Sequence, residues 1–513
     1  MSSTPSSKQH LHNTLSNPSA YPHPADKVTH ISTHISDIYL TGEYVYKVKK
    51  PVKFGFLDFS TLALRKHYCE EEIRLNQRFA PELYLRVVPL SVQDGKIQPD
   101  NGHGEIIEYA VLMRQFDRSQ ELDLLLRQQK LTPEHITELA EVIAAFHRQI
   151  PSAAPDSEFG NQASVIQPVR DNFTDLYRHP HSAELQQLLE QTEAWVEQEW
   201  IRTKSIAETR KQQGFIRECH GDLHLGNIAV INGKVTPFDG IEFNPSLYWI
   251  DVMSELAFPL MDLDSRQQPQ LASELLNHYL SHSGDYAGLQ ILNLYRVHRA
   301  LVRAKINALQ AAQQADDQQR RQFTEQTGHY AALAARYTQR RTPVIFITHG
   351  LSGSGKTWQS RQIAAQINAI HIRSDVERKR RFAQNTENLY STDVTRQTYQ
   401  YLAELAENTI RSGFSVIIDA TFLDYRQRAL FQQLAEKLQT RCLILHFSAP
   451  EEQLRDNIKQ RRQQGTDASD ADLKVLENQL ENYQPLAATE DYLTIQFGQE
   501  LPVSQIRKQV ADG

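Results

Sequence analysis

"VIFITHGLSGSGKTWQSRQIAAQI", residues 344–367, runs from an apolar segment through a glycine-rich turn into an amphipathic segment. The turn Gly350–Thr357 fits G-x-x-x-x-G-K-[ST] in full. A strand before it and a helix after it are the context in which that spacing makes a phosphate cradle. In such a loop, which opens at Gly350, backbone N–H groups of Ser352, Gly353, Ser354, Gly355 and Lys356 face the phosphates. Lys356 also reaches the outer phosphate oxygens, and Thr357 offers its hydroxyl to magnesium. Downstream, "AIHIRSD" (369–375), "SVIIDAT" (415–421) and "CLILHFS" (442–448) alternate with helical patterns. That alternation is the signature of a parallel sheet flanked by helices. In open sheets of this kind ligands sit outside the carboxyl ends of the strands. Asp375 and Asp419 both fall there. Asp419 reads as the carboxylate on the metal side, and Asp375, with Arg378 beside it, as the base for an acceptor hydroxyl. A later helix carries Arg455, Arg461 and Arg462. They read either as lid arginines supplied to a transition state or as a solvated helix face.

A second stretch sits far upstream: "HGDLHLGN" (220–227), followed by "FDG" (238–240). Phosphoryl transfer needs a phosphate cradle, oxygen ligands for magnesium and a carboxylate for the acceptor hydroxyl. Asp222 followed five residues later by Asn227 has the H-x-D-x-x-x-x-N spacing that serves the acceptor with the aspartate and a metal with the asparagine. Asp239, beyond a short strand and an "NGK" turn, is placed to be the second metal ligand. Nearer the amino terminus "YVYK" ends in Lys47, with Lys49 on the same strand face as its backup. The helix that follows has an apolar stripe of Leu64, Tyr68, Leu75 and Phe79. Glu71 and Glu72 flank that stripe on opposite sides. Either suits the lysine, and Glu72 is preferred.

"CHGDLHLGNI" with "FDGIEF", preceded by a lysine strand and an acidic helix, resembles the aminoglycoside phosphotransferase and choline kinase-like superfamily. The resemblance implies a two-lobed protein-kinase-like fold. In it Asp222 is the catalytic base, Asn227 and Asp239 hold Mg2+, and Lys47 contacts ATP. His220 would brace the loop, and Asp251 would brace it from the next helix. No GxGxxG phosphate cover is present between the first strands. From about 343 onward the chain resembles small P-loop kinases such as the gluconate kinases, polynucleotide kinase and the zeta toxins, with "RSDVER" closest to polynucleotide kinase. The pairing resembles bifunctional bacterial proteins that join the two domains.

These readings give residues 1–24 as a disordered tail and 25–325 as the first kinase domain. Residues 326–342 follow as a helical linker and 343–513 as the P-loop domain. The 513 residues are too many for one core. No apolar run approaches the ~18–20 residues of a membrane span. Cys69, Cys219 and Cys442 lie far apart, which argues for a reducing, cytoplasmic setting. Net charge is −7 overall. Residues 343–513 carry 20 Lys and Arg against 21 Asp and Glu, leaving −1 there and −6 upstream. A long nucleic acid is therefore disfavoured as a partner. "YRVHRALVRAK" puts Arg296, Arg299 and Arg303 on one helix face, as an anion clamp or, preferred, as a solvated charged face. The expectation is an ATP-dependent kinase with two Mg-ATP sites that phosphorylates hydroxyls of a small molecule. The alternatives are a P-loop sensor that controls the first domain, or a toxin-like kinase acting on a nucleotide sugar or nucleic-acid end.

Overall fold

The computed structural model describes residues 5–511 apart from 56, 94–95, 101–102, 180–181, 341, 384–388, 390 and 465–471. By internal contacts the chain divides into two compact units. The first comprises Met1–Val142, Phe146–Ser164 and Glu208–Pro259, and the second Ile143–Ala145, Val165–Ala207 and Leu260–Gly513. Among the described residues no helix is long and apolar enough to cross a membrane.

The first unit is built on a six-stranded antiparallel sheet. Its order is Thr29–Ser32, Ser36–Leu40, Tyr44–Lys49, Glu105–Arg114, Tyr84–Gln93, Lys96–Pro99. A tight turn at Gly42, whose φ of +102° suits glycine, joins Ser36–Leu40 to Tyr44–Lys49. One sheet face buries Tyr39, Tyr46, Val48 and Val88; the other buries Val45, Tyr84 and Val111 with Cys69 from the helix Leu62–Asn76. This strand period of two is what aims Lys47 and Lys49 to a common side. The expected tail differs from the structure. Pro5–Leu15 is a helix, and Leu15, fully buried, and Tyr21 pack into the Tyr39–Tyr46 cluster. Burying a leucine contributes about 1.5–3 kcal/mol, enough to hold a short polar segment against the sheet.

The second unit contains a five-stranded parallel sheet, ordered Ile370–Arg373, Val416–Asp419, Ile345–His349, Cys442–Ser448, Tyr492–Gln496. Phe346, Ile363, Ile417, Leu445 and Phe447 form its core. The same unit holds the helical hairpin Leu289–Gln313 and Asp317–Tyr337 and the helix Pro269–Ser283. The boundary expected at 342–343 thus lies inside a compact unit. The reason is specific pairing. Asn277 Nδ2 donates to the Ala369 carbonyl at 3.0 Å, and its Oδ1 accepts the His371 N–H at 2.7 Å. Tyr286 Oη meets Glu377 at 3.1 Å. The expected linker helix also buries Tyr330, Ala331, Leu333 and Ala334.

Candidate functional site

In the first unit the lysine strand meets the helix Leu62–Asn76 through Glu72, which is fully buried. Lys47 Nζ lies 2.8 Å from Glu72 Oε1 and 2.5 Å from Asp239 Oδ1. Lys49 is engaged as well, at 2.6 Å from Glu72 Oε2 and in contact with Glu242. Burial alone would lower the Lys47 pKa; Asp239 and Glu72 outweigh it and raise it well above the ordinary value. Burial raises the Glu242 carboxyl against the pull of Lys49. Glu71 instead pairs with Arg74 at 2.8 Å.

The loop that holds Asp222 and Asn227 leaves the short strand Ile216–Glu218 and enters the hairpin Ile228–Ile231 and Lys234–Pro237. Ile228 faces Pro237 in that hairpin, and the Phe238 N–H donates to the Asn227 carbonyl at 2.9 Å. Asn227 and Asp239 are therefore brought to the hairpin's open end from opposite strands. Asn227 Nδ2 donates to the Asp222 carbonyl at 3.0 Å and to its carboxylate at 3.3 Å. His224 Nε2 stands 3.5 Å from the same carboxylate. Asp239 has a left-handed φ of +60°, and its N–H is taken by the Tyr84 hydroxyl at 2.9 Å. Gly221 is needed where it is: its φ is +89°, and a Cβ there would come 2.9 Å from the Leu247 carbonyl oxygen.

A carboxylate other than the expected Asp251 braces this loop directly. Asp251 is occupied by Arg210 at 2.7 and 2.8 Å. Glu255, one helical turn on, accepts the N–H groups of His220 at 2.9 Å and Gly221 at 2.8 Å. Burial opposes its charge, but His147 and the His220 amide outweigh burial and hold the carboxyl down at about 2. His220 is buried, its Nε2–H donates to the Phe238 carbonyl oxygen at 2.9 Å, and burial lowers its pKa. A carboxyl depressed on folding contributes stability that is complete above its unfolded value and is lost as pH falls towards the folded one. Here the shift is from 4.5 to about 2. It corresponds to about 3 kcal/mol. Urea unfolding should therefore show Glu255→Gln clearly destabilised at neutral pH, with the gap to the parent chain narrowing between about pH 5 and pH 2. A gap that is constant with pH would remove Glu255 from this role.

In the second unit the loop after Ile345–His349 leads into the helix Lys356–Ile367. Gly353 has a φ of +86°, and a Cβ there would lie 2.5 Å from the Leu454 carbonyl oxygen. Asn457 Nδ2 donates to the Gly353 carbonyl at 2.8 Å, and Gln479 accepts the Ser352 N–H at 2.9 Å. Lys356 Nζ donates to the carbonyls of Gly350 at 2.9 Å and Leu351 at 2.7 Å. Thr357 hydrogen-bonds Asp419, and His371 Nε2 stands 3.2 Å from the same carboxylate. Burial works against the Asp419 charge, and His371 with Thr357 outweighs it, so its pKa is lowered. Arg373 faces Asp419 across the strands Ile370–Arg373 and Val416–Asp419, which puts Asp375, in the first turn of the helix Ser374–Arg381, just beyond that row. Arg378 lies 3.5 Å from Asp375. A cleft of about 260 Å³ opens beside Gly350, Leu351 and Ser354, where the buried Ser354 Oγ has no hydrogen-bond partner. Arg455 is tied to Glu451 at 2.8 Å and to Glu477 at 3.4 Å. Arg461 and Arg462 belong to the helix Glu451–Gln464, but their side chains are outside the described residues.

Glu255 and Glu242 were missed from sequence. The helical repeat that places Glu255 four residues after Asp251 was a usable signal. Glu242, in "FDGIEF", had none, because a buried partner for a second lysine leaves no pattern. The face Arg296–Arg299 is also not solvated: both residues are buried.

Residues 56–292 match the phosphotransferase enzyme family, and residues 345–486 match a family described as an AAA domain. An uncharacterised protein of Mycobacterium tuberculosis, Rv2004c, is 26% identical over 446 residues, covering 85% of this chain and 87% of its own length. Among solved structures, a choline/ethanolamine kinase family protein from Mesorhizobium loti aligns at 11% identity and a TM-score of 0.38. It covers 64% of this chain and 99% of its own. A gluconokinase from Sinorhizobium meliloti aligns at 20% identity and a TM-score of 0.25, covering 34% and 92%. With Glu72 and the aspartate–asparagine loop in one match and the Walker loop in the other, the chain is an ATP-dependent kinase that joins a phosphotransferase-family domain to a P-loop kinase-like domain.

Proposed function

We propose that the chain carries two Mg-ATP sites, each passing a phosphoryl group to a hydroxyl of a small molecule, with Asp222 and Asp375 as the acceptor-side bases. The observation that carries this reading is the linkage of Lys47 to both Glu72 and Asp239 beside the Asp222–Asn227 loop. The donor sets fit magnesium, which takes oxygen ligands. With the Asn227 amide nitrogen spent on Asp222, its carbonyl oxygen and the Asp239 carboxylate are left as hard ligands. At the second site the Thr357 hydroxyl and Asp419 supply the same chemistry, and the unpartnered Ser354 hydroxyl faces the cleft where phosphates would lie. Magnesium, when bound, spreads the negative charge of the phosphates. Lys47 and Lys356 then neutralise phosphate oxygens. Asp222 orients an acceptor hydroxyl and takes its proton as the phosphoryl group arrives, and Asp375 does the same at the other centre. The compact acceptor is a metabolite, not a long nucleic acid, because neither portion of the chain is basic.

The test is an ATP-consumption screen of the intact chain against hydroxyl-bearing metabolites and nucleosides, repeated with Lys47→Ala and Lys356→Ala. Two separable components of acceptor-dependent turnover are expected, one lost with each lysine. If Lys356→Ala alone removes all of it, the two-site reading fails.

A further inference from the structure

A second, larger cleft in the second unit belongs to neither of the sites above. Its volume is about 910 Å³, and its walls come from the helices Ala183–Gln212, Leu289–Gln313 and Asp317–Tyr337 with Asn368 and Arg411–Phe414. Asn368 and Phe414 immediately precede the strands Ile370–Arg373 and Val416–Asp419. The cleft therefore lies at the amino ends of the parallel strands, whereas the Walker loop follows their carboxyl ends. A strand of five residues separates those edges by roughly 16 Å.

The lining is strongly cationic. Five arginines, at 202, 296, 336, 340 and 411, face two carboxylates, Glu199 and Asp264. Both carboxylates are already committed. Glu199 accepts from Arg202 at 2.9 Å, and Asp264 accepts the Tyr337 hydroxyl at 2.6 Å. Arg411 is held by Glu407 at 2.8 Å. Arg336 and Arg340 make no ion pair among the described residues. The decisive side chain is Arg296. It is only 4% exposed, and among the described residues its Nε has no hydrogen-bond partner and no carboxylate lies within ion-pair distance of it. Its guanidinium is held instead against aromatic faces, 5.5 Å from the Tyr337 ring and 6.0 Å from Phe414. A buried cation without a counter-ion is costly, and aromatic faces offset only part of that cost. A planar guanidinium fixed in this way is suited to bidentate recognition of phosphate oxygens.

We infer that this cleft is a binding site for a phosphate-bearing small molecule, with Arg296 as its buried anchor and Arg336 and Arg340 as its rim. The volume accommodates a ligand of nucleotide or sugar-phosphate size. Trp195 in the same wall provides a stacking surface for a base. The site is separate from phosphoryl transfer, so its ligand is an effector rather than an acceptor, and it stands whether or not both kinase sites are active.

The test uses the full chain carrying Lys356→Ala and Asp239→Asn, which suppresses nucleotide binding at the two kinase sites. Pyrophosphate, AMP and glucose 6-phosphate are titrated at constant ionic strength, with sulfate as the simple-anion control. At least one phosphate probe is expected to bind and to raise the melting temperature. Arg296→Gln should weaken that binding at least tenfold while leaving the probe-free melting temperature equal or higher, since it removes an uncompensated buried charge. Arg336→Gln with Arg340→Gln, at exposed positions, should weaken it several-fold and decides the matter if Arg296→Gln does not fold. The pattern of probes names the ligand: AMP above the others means a nucleotide, glucose 6-phosphate a phosphosugar, and equal response the phosphate group alone. No binding, binding indifferent to these arginines, or sulfate binding as well as every probe would overturn the inference. So would Arg296→Gln lowering the melting temperature without loss of affinity.

Discussion

Replacing Lys356 by alanine is expected to abolish nucleotide turnover at the P-loop, and replacing Asp375 by alanine is expected to abolish transfer while sparing nucleotide binding. Lys356 is nearly buried and can reach phosphate oxygens by exchanging its bonds to the Gly350 and Leu351 carbonyls. Its loss removes a fixed cation from the cradle. Asp375 instead stands beyond the row of Arg373 and Asp419, about a quarter exposed and 3.5 Å from Arg378. If it is the proposed general base, its loss should cost about 10²–10⁴-fold in transfer. A P-loop domain that only senses nucleotide has no use for it. ATP affinity and acceptor-dependent turnover, measured for both variants, therefore separate a kinase from a sensor. Unchanged turnover in Asp375→Ala with an acceptor in hand would end the kinase reading of this domain.

Asp222→Asn should cost the first domain about 10²–10⁴-fold in transfer, again the range for a general base, with Mg-ATP affinity within a few-fold of the parent. Asp239→Asn should weaken Mg-ATP binding as well. The difference follows from their neighbours. Asp222 is held by Asn227 and approached by His224, whereas Asp239 lies 2.5 Å from the lysine that would meet the phosphates. Nucleotide titration of the two variants checks this. Equal loss of affinity in both would reverse the assignment of roles.

What could be read from sequence was whatever local chemistry dictates. The Walker loop is continuous in the chain, and its glycines are demanded by φ and by the approach of the Leu454 carbonyl. The spacing of Asp222 and Asn227 survives because one tight loop holds both. The strand period shows Lys47 and Lys49 on one side, but not that Glu72 would be shared between them, with Glu242 closing the cluster. Long-range partners leave no local trace. For the same reason sequence points to Asp251 where Glu255 meets the loop: Asp251 ends a short strand, Glu255 lies in the first turn of the following helix, and only the fold shows that Arg210 pairs with the first and the loop amides with the second. The amino-terminal segment misled through composition. Its serines and histidines read as solvated, and two apolar side chains, Leu15 and Tyr21, were enough to anchor it.

The pairing of Asn277 with Ala369 and His371 bears on how such a chain can be inherited. A stop codon near residue 342 would end the reading frame between two recognisable catalytic motifs, yet it would strip the helices after Leu260 of the sheet they pack with. The remainder would display apolar helix faces that the intact chain covers. Gene fission at that point would therefore cut through a packed unit, not between two.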